Sequence, residues 1–286
     1  MRRQKQSSLN LRHQHVDVTT AAQCRISVFQ PTRKPVWRIG AEIETPYGFA
    51  IVDGRLGMRH RDLVECAKLT AVEQGIDAVG RYCCIVDPNK LRSAMSQGRS
   101  RVCWQQMKDL AEDMRTCKVR DLEIFSRPGF GVVTAGILDS IVYQGVGQVD
   151  ARAGALGGDR RELWKIAFSE AWTHLFQHDI QISYAGHLLK IIALRHGVSQ
   201  AVARFMLSHQ PGASYNIKET LRIVGAGREE TTRHRIRELI ADENKLAEMG
   251  IMTQGVTFHL DPTCRKSNPG FAITETPVAE DKSRCL

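Results

Sequence analysis

One order of elements can be read twice along this chain, and it limits the fold more than any single motif does. The first pass opens with a helix predicted over His60–Gln74, where Leu63, Val64, Ala67, Ala71 and Val72 fall on one face and Gly75 supplies the stop. RYCCIV, residues 81–86, suits a strand. Asp87 then caps a short helix with Pro88 at its first position. Ser96, Gln97 and Gly98 break that helix. A longer one starts at Ser100 and aligns Cys103, Met107, Leu110 and Met114. KVRDLEIF and GVVTAGILDSIVY follow as two strands around the loop Ser126–Phe130.

The second pass repeats this. Ser199 caps a helix through His209, with Val202, Phe205 and Met206 facing in. Tyr215–Ile217 is a very short strand and Lys218–Val224 a short helix. Gly225, Ala226 and Gly227 make the turn. Glu229–Met249 is a long helix with Thr232, Ile236, Leu239, Ile240 and Leu246 inward, ended by Gly250, and IMTQGVTFHL is a strand. Ahead of this unit LWKIAFS alternates Trp164, Ile166 and Phe168 on one side, Ser169 caps EAWTHLFQ, and IQISYAGHLLKI follows.

Helix, short strand, helix, tight turn, helix and β-hairpin is the order of a winged helix. The predicted fold class is therefore α+β, with two tandem winged-helix domains and a flexible basic N-terminal arm. Residues 1–34 are the arm, since they are polar, basic and without periodicity. Residues 35–150 form the N-terminal domain, opened by a hairpin of VWRIGAEIE and YGFAIVDG around Thr45 and Pro46. Residues 160–260 form the C-terminal domain and 261–286 a loose tail. The Gly/Ala-rich link VDARAGALGGDR, residues 149–160, has no amphipathic pattern and marks the boundary.

Charge points to the partner. The 286 residues carry a net charge of +9 and a pI near 9.3, which favours nucleic acid or an anionic surface. The basic residues crowd the start of each long helix, the part of a helix-turn-helix that enters the major groove. In the second unit these are Arg228, Thr231, Thr232, Arg233, His234, Arg235 and Arg237. On a helical wheel Ile236, Leu239 and Leu246 face in, while Thr231 and His234 point out, flanked by Arg235 and Arg237. Arginine pairs bidentately with guanine, and threonine hydroxyls and helix N-terminal amides hold phosphates. Glu238 is also within ion-pairing reach of Arg235, as Glu229 and Glu230 are of Arg233. In the first unit Arg99, Ser100, Arg101, Gln105 and Lys108 lie off the apolar stripe. Gln105 suits an adenine edge and Arg101 a guanine or a phosphate. Arg127 stands at the predicted wing tip.

Other chemistry has little footing. None of the eight cysteines forms a C-x-x-C pair, so reduced thiols in a cytoplasmic protein are expected, with no metal and no cofactor. No run of 18 apolar residues crosses a bilayer, so no membrane partner is expected.

With these elements placed, two stretches resemble the plasmid replication initiators of the winged-helix class, nearest the TrfA-type family. GVSQAVARFMLSHQPGASYNIKETLRIVGAG with RHRIRELIADENKLAEMGI is similar to that family's C-terminal winged helix. HRDLVECAKL with DPNKLRSAMSQGRSRVCWQQMKDL is similar to the N-terminal one. The resemblance covers about residues 58–260. It implies a non-enzymatic protein that binds double-stranded DNA at direct repeats (iterons) of an origin, helps open the duplex, and engages the host replicative helicase and initiator proteins.

Two alternatives share some of these features. A winged-helix transcriptional repressor uses the same groove chemistry, usually with one unit per chain on a palindrome. A rolling-circle nicking initiator uses a tyrosine beside a metal held by histidines. Tyr215 and Lys218 form a Tyr-x-x-Lys pattern and His13 and His15 form a pair, but that pair lies in the polar arm with nothing to fix its geometry. The apolar run GVVTAGILDSIVYQGV offers an edge for a homodimer.

Overall fold

The computed structural model describes residues 18–45, 48–97, 102–120, 134–150, 160–179, 181–184, 186–227 and 229–263. The chain forms β1 (Val18–Thr20), α1 (Ala21–Arg25) and a hairpin of β2 (Arg38–Thr45) and β3 (Gly48–Gly54). Then come α2 (Met58–Thr70), β4 (Ala71–Ile76), β5 (Tyr82–Val86), α3 (Pro88–Met95) and α4 (Trp104–Thr116). β6 (Lys118–Arg120), β7 (Leu138–Val142), β8 (Gln148–Asp150) and β9 (Arg160–Glu162) follow. β10 (Trp164–Phe168), α5 (Glu170–His178), β11 (Gln181–Ser183) and α6 (Leu188–Ala193) lead into the second half. That half contains α7 (Gly197–Leu207), β12 (Ser214–Asn216), α8 (Ile217–Ile223), α9 (Glu229–Ile240), α10 (Glu243–Ala247), β13 (Ile251–Gln254) and β14 (Thr257–Leu260).

The expected boundary at residues 149–160 does not separate two units. β10 is a central strand of the antiparallel sheet β4-β5-β10-β7, between two strands from before the link. Ile166 stands opposite Cys84 of β5 on one side and Ile141 of β7 on the other. The cause is the alternation already visible in LWKIAFS. Trp164, Ile166 and Phe168 are all buried, and Phe168 packs edge-on against Phe176 of α5 at 5.0 Å and lies 5.7 Å from Tyr82 of β5. Each such aromatic pair adds about 0.5–1.5 kcal/mol beyond area burial. Ser169 caps α5 as expected, its hydroxyl accepting from the Trp172 amide.

The segment expected to be a flexible arm is folded from residue 18 onward. β1 pairs antiparallel with β11, and α1 buries Ala21, Ala22 and Cys24. Beyond α1, Ile26, Val28 and Phe29 join the same core. Thr32 then lies between the starts of α2 and α7. Its carbonyl accepts the Met58 amide at 2.9 Å, and its backbone passes so close to Gly197 that a Cβ there would sit 2.5 Å from its Cα. Only the missing side chain of Gly197 allows that approach. Arg33 donates to the carbonyls of Ile192 and Leu194, at the end of α6. Buried apolar residues from residue 22 to residue 260 form one continuous cluster, so the halves share a core.

Several local expectations also change. The first helix ends at Thr70, not Gln74, because AVEQGI pairs with β5 as β4, leaving Val72 half exposed. β6 pairs with β3, and β7 with β10; a single bridge, Val119 to Ala135, links the two expected wing strands among the described residues. IMTQGVTFHL is two strands, β13 and β14, around Gly255, and with β12 it forms the sheet β12-β14-β13. Cys103 is not on the apolar face of α4; it is exposed and caps the helix, its sulfur accepting from the Gln106 amide. The long second helix breaks at Ala241–Asp242, where both carboxylate oxygens of Asp242 accept the Arg195 and His196 amides at 2.9 Å. That side chain anchors the two residues leading into α7, and the break lets it reach. Among the described residues no helix is long and apolar enough to cross a membrane.

Candidate nucleic-acid interface

The turn between α8 and α9 is built from its residues outward. Asn216 caps α8 by accepting the Lys218 and Glu219 amides at 2.9 and 3.4 Å. Thr220 and Leu221 bury its inner face. At Gly225 φ is +78°, a conformation side chains disfavour, and a Cβ there would stand 2.8 Å from the Cβ of Ser27. Gly227 passes as close to the backbone of Arg222. Ala226 between them is buried, and its amide reaches the Leu221 carbonyl at 2.7 Å. The Gly-Ala-Gly corner therefore swings α9 away from α8 and also seats the turn against the N-terminal segment.

α9 packs on α7 through Leu239, which is buried, and Ile236, which is partly so. Ile240, expected inward, is 62% exposed, because the break at Ala241 ends the helix before the inward stripe returns to it. Arg233, His234 and Arg237 project into solvent. Arg233 and Arg237, one turn apart, pair with no carboxylate among the described residues. Arg235 differs: only 24% of its side chain is exposed, and it donates to Glu238 at 2.8 Å. The same carboxylate faces His234 at 3.6 Å and His196, just before α7, at 3.4 Å. Glu238 thus ties Arg235 to the helix surface. Thr231 and Thr232 are partly buried and hydrogen-bonding or contact partners exist for both. Arg228 lies outside the described residues.

In α4 Met107, Ala111 and Met114 face the core, while Gln105 and Lys108 are exposed. Gln105 donates to Asp109 at 2.7 Å, so its amide is engaged along the helix. Lys108 lies 5.3 Å from the Tyr143 ring. Trp104 packs edge-on against Trp164 at 5.8 Å and receives the Arg92 guanidinium over its outer ring at 4.3 Å. Arg99, Ser100, Arg101 and Arg127 lie outside the described residues. Sequence reading missed a second basic group beside α4, made of Arg33, Lys34, Arg55 and Arg59 around one cleft. These residues come from two stretches far apart in sequence, so no local run announces them.

Tyr215 has a packing role. Its ring meets Phe205 at 5.3 Å and His209 at 4.5 Å, and its strand β12 pairs with β14.

No protein-family model matches this chain. No curated protein sequence matches it either. Among solved structures it is similar to the crystal structure of selenomethionine derivatives of domains 2 and 3 of RctB, with a TM-score of 0.50 and 10% sequence identity. That match covers 82% of this chain and 94% of the other. A second crystal structure of RctB domains 2–3 gives a TM-score of 0.49 at 9% identity, over 84% of this chain and 96% of the other. Across most of its length, and through both halves, the chain has the mixed helix-and-sheet fold of RctB domains 2 and 3.

Proposed function

We propose that this protein is a replication initiator that binds double-stranded DNA through two winged-helix halves, reading direct repeats at an origin with α9 and α4. The observation that carries the reading is the placement of α9. A glycine corner turns it outward, and Arg233, His234 and Arg237 stand in solvent on its outer side. Arginines one turn apart on an exposed helix match the spacing of neighbouring base edges and phosphates in a major groove. The fold supports the reading, since RctB is a replication initiator. So does the net charge of +9. In this proposal the chain carries no catalytic site of its own, acts in the cytoplasm at a plasmid origin, and hands the opened duplex to the host helicase and initiator proteins. The TrfA-type resemblance supports these last steps.

Footprinting tests it. The full chain is incubated with fragments of the replicon that encodes it, and protected positions are mapped. An array of direct repeats near the gene is the expected pattern. A single palindrome at the promoter would replace this reading with that of a repressor, and no protection on any fragment would end it.

A further inference from the structure

A cleft of about 650 Å³ opens beside α4, on the flank away from Lys108. Its walls carry Arg33 and Lys34 from the N-terminal segment, Arg55 from the β3–α2 turn and Arg59 from the first turn of α2. Asp109 and Asp113 of α4 face them. Four basic side chains against two carboxylates leave the cleft positive, and one of those carboxylates is already neutralised. Asp113 Oδ2 accepts from Arg55 Nε at 3.1 Å and Nη2 at 3.0 Å, and from His60 Nε2 at 3.1 Å. The Gly57 amide donates to His60 Nδ1 at 3.0 Å, which leaves Nε2 as the protonated nitrogen that meets Asp113. Burial alone would raise the Asp113 carboxyl, but His60 and Arg55 outweigh it and hold it below its ordinary range.

The cations are held in place. Arg59 donates to the Met95 carbonyl at 2.8 Å, at the end of α3, and Arg33 reaches two carbonyls at the end of α6. These carbonyls fix both guanidiniums, and Arg59 also lies 3.8 Å from Asp62, which balances part of its charge. Arg55 uses Nε and one terminal nitrogen on Asp113 and keeps the other terminal nitrogen. Lys34 is exposed and pairs with no carboxylate among the described residues. The first turn of α2 adds the positive end of a 13-residue helix.

We infer that this cleft takes a backbone phosphodiester of double-stranded DNA on the flank of α4, with Lys34 and Arg55 as its accessible contacts and Arg33 and Arg59 as the charge behind them. A phosphate presents acceptors to preorganised guanidinium and ammonium donors, and the preset geometry reduces the ordering cost of binding. A contact of this kind sets the register of a reading helix without reading sequence. It rests on the DNA-binding reading above and adds a site that none of the sequence-predicted residues belongs to.

The test is a salt titration of the full chain on a labelled 30-base-pair duplex of arbitrary sequence, followed by fluorescence anisotropy. The chains compared are the wild type, Lys34→Gln, Lys34→Glu, Arg55→Gln and, as an independent check, Arg237→Ala. The wild type should lose affinity with a steep log–log salt slope. Lys34→Gln and Arg55→Gln should each lower that slope by about 0.9. Lys34→Glu should weaken binding more than Lys34→Gln, with circular dichroism unchanged. Wild-type slope and affinity in all three cleft variants, with Arg237→Ala still weakened, would overturn the cleft and leave the DNA reading intact. A wild type that does not bind the duplex at low salt would overturn both.

Discussion

Arg204 of α7 holds Glu65 of α2 at 2.7 Å, and neither side chain has more than marginal contact with solvent. The same guanidinium meets Asp62 at 2.7 Å. Arg61, one turn before Glu65, donates to that carboxylate at 3.0 Å and to the Tyr184 hydroxyl at 3.2 Å. Two helices from opposite halves are therefore joined through a dry charge cluster. Removing one partner strands the others without water. Arg204→Ala should destabilise the chain by about 3–5 kcal/mol. The exposed pair Arg115–Glu112, at 2.7 Å, is the contrast: water screens both charges, so Arg115→Ala should leave stability nearly unchanged. Urea unfolding followed by tryptophan fluorescence compares them, and equal midpoints for the two variants would mean that the cluster does not join the halves.

The cluster also sets a pH dependence. Burial pushes the Glu65 carboxyl up, but Arg204 and Arg61 outweigh it and bring it down to about 2, against an ordinary 4.5. For Asp62 burial wins over Arg204 and the more distant Arg59, 3.8 Å away, and its carboxyl is raised. A depressed carboxylate contributes stability that is complete above its unfolded value and is lost as pH falls through its folded value. The Glu65 contribution should thus be intact above about pH 4.5 and fade toward pH 2. Asp62 works in the opposite sense, since its folded form takes up a proton more readily than its unfolded one. Comparing unfolding free energies of wild type and Glu65→Gln from pH 6 to pH 2 isolates the first effect. The gap between them should narrow as the solution is acidified; a gap that stays constant would remove Glu65 as the acid-sensitive group.

How far the sequence carried this can be judged at particular elements. In the second half the short helix after Tyr215 and its glycine corner were legible, because Gly225 marks the turn; but the helix expected to be capped by Ser199 already starts at Gly197, and the long helix and the closing strand are each two elements. The Arg235–Glu238 pair was visible as spacing. What stayed hidden was long-range pairing. The alternation of Trp164, Ile166 and Phe168 identifies a strand but not its neighbours, so β10 was assigned to the wrong half. Residues 18–34 carry seven apolar residues but show no helical or strand period, and their burial depends on gaps left by Gly197 and Gly225 far along the chain. The basic cleft was hidden for the same reason.

That hidden pairing changes what a break in the link should do. Two independent domains would separate when cut between residues 151 and 158. With β10 lodged between β5 and β7, they should remain together. A protease site placed in this stretch and cleaved under native conditions should give fragments that co-elute on size exclusion and separate only in denaturant. A fragment of residues 1–150 expressed alone lacks β10 and should show no cooperative unfolding. A folded, soluble fragment of that length would restore the two-domain boundary.

The N-terminal segment should be equally structural. Gly197→Ala places a methyl carbon 2.5 Å from the Thr32 backbone, a clash that cannot relax without moving the segment or the start of α7. Overpacking of this kind costs about 1–3 kcal/mol. Thermal unfolding of Gly197→Ala should show it as a lowered midpoint. An unchanged midpoint would mean that Thr32 is not lodged between α2 and α7.

The arginines of α9 should divide in function according to how each is held. Arg233 and Arg237 stand free of carboxylates among the described residues, while Arg235 is tied to Glu238 at 2.8 Å and mostly covered. An arginine that reads a base must reach the groove with its fork open. Arg237→Ala or Arg233→Ala should therefore cost about 1–3 kcal/mol of binding if the side chain reads a base, and relax preference at one position of the footprinted site. If it holds a phosphate instead, the loss will be uniform across sequences and the salt slope will fall by about 0.9. Arg235→Ala should cost less than either, because DNA must first compete with Glu238 for its guanidinium. Glu238→Gln weakens that competitor, and it should raise the contribution of Arg235 in a double-mutant comparison. Gel-shift titrations on the footprinted site and its single-base variants measure all four. An Arg235→Ala loss larger than that of both Arg233→Ala and Arg237→Ala would mean that α9 meets DNA by its flank, with Glu238 displaced on binding.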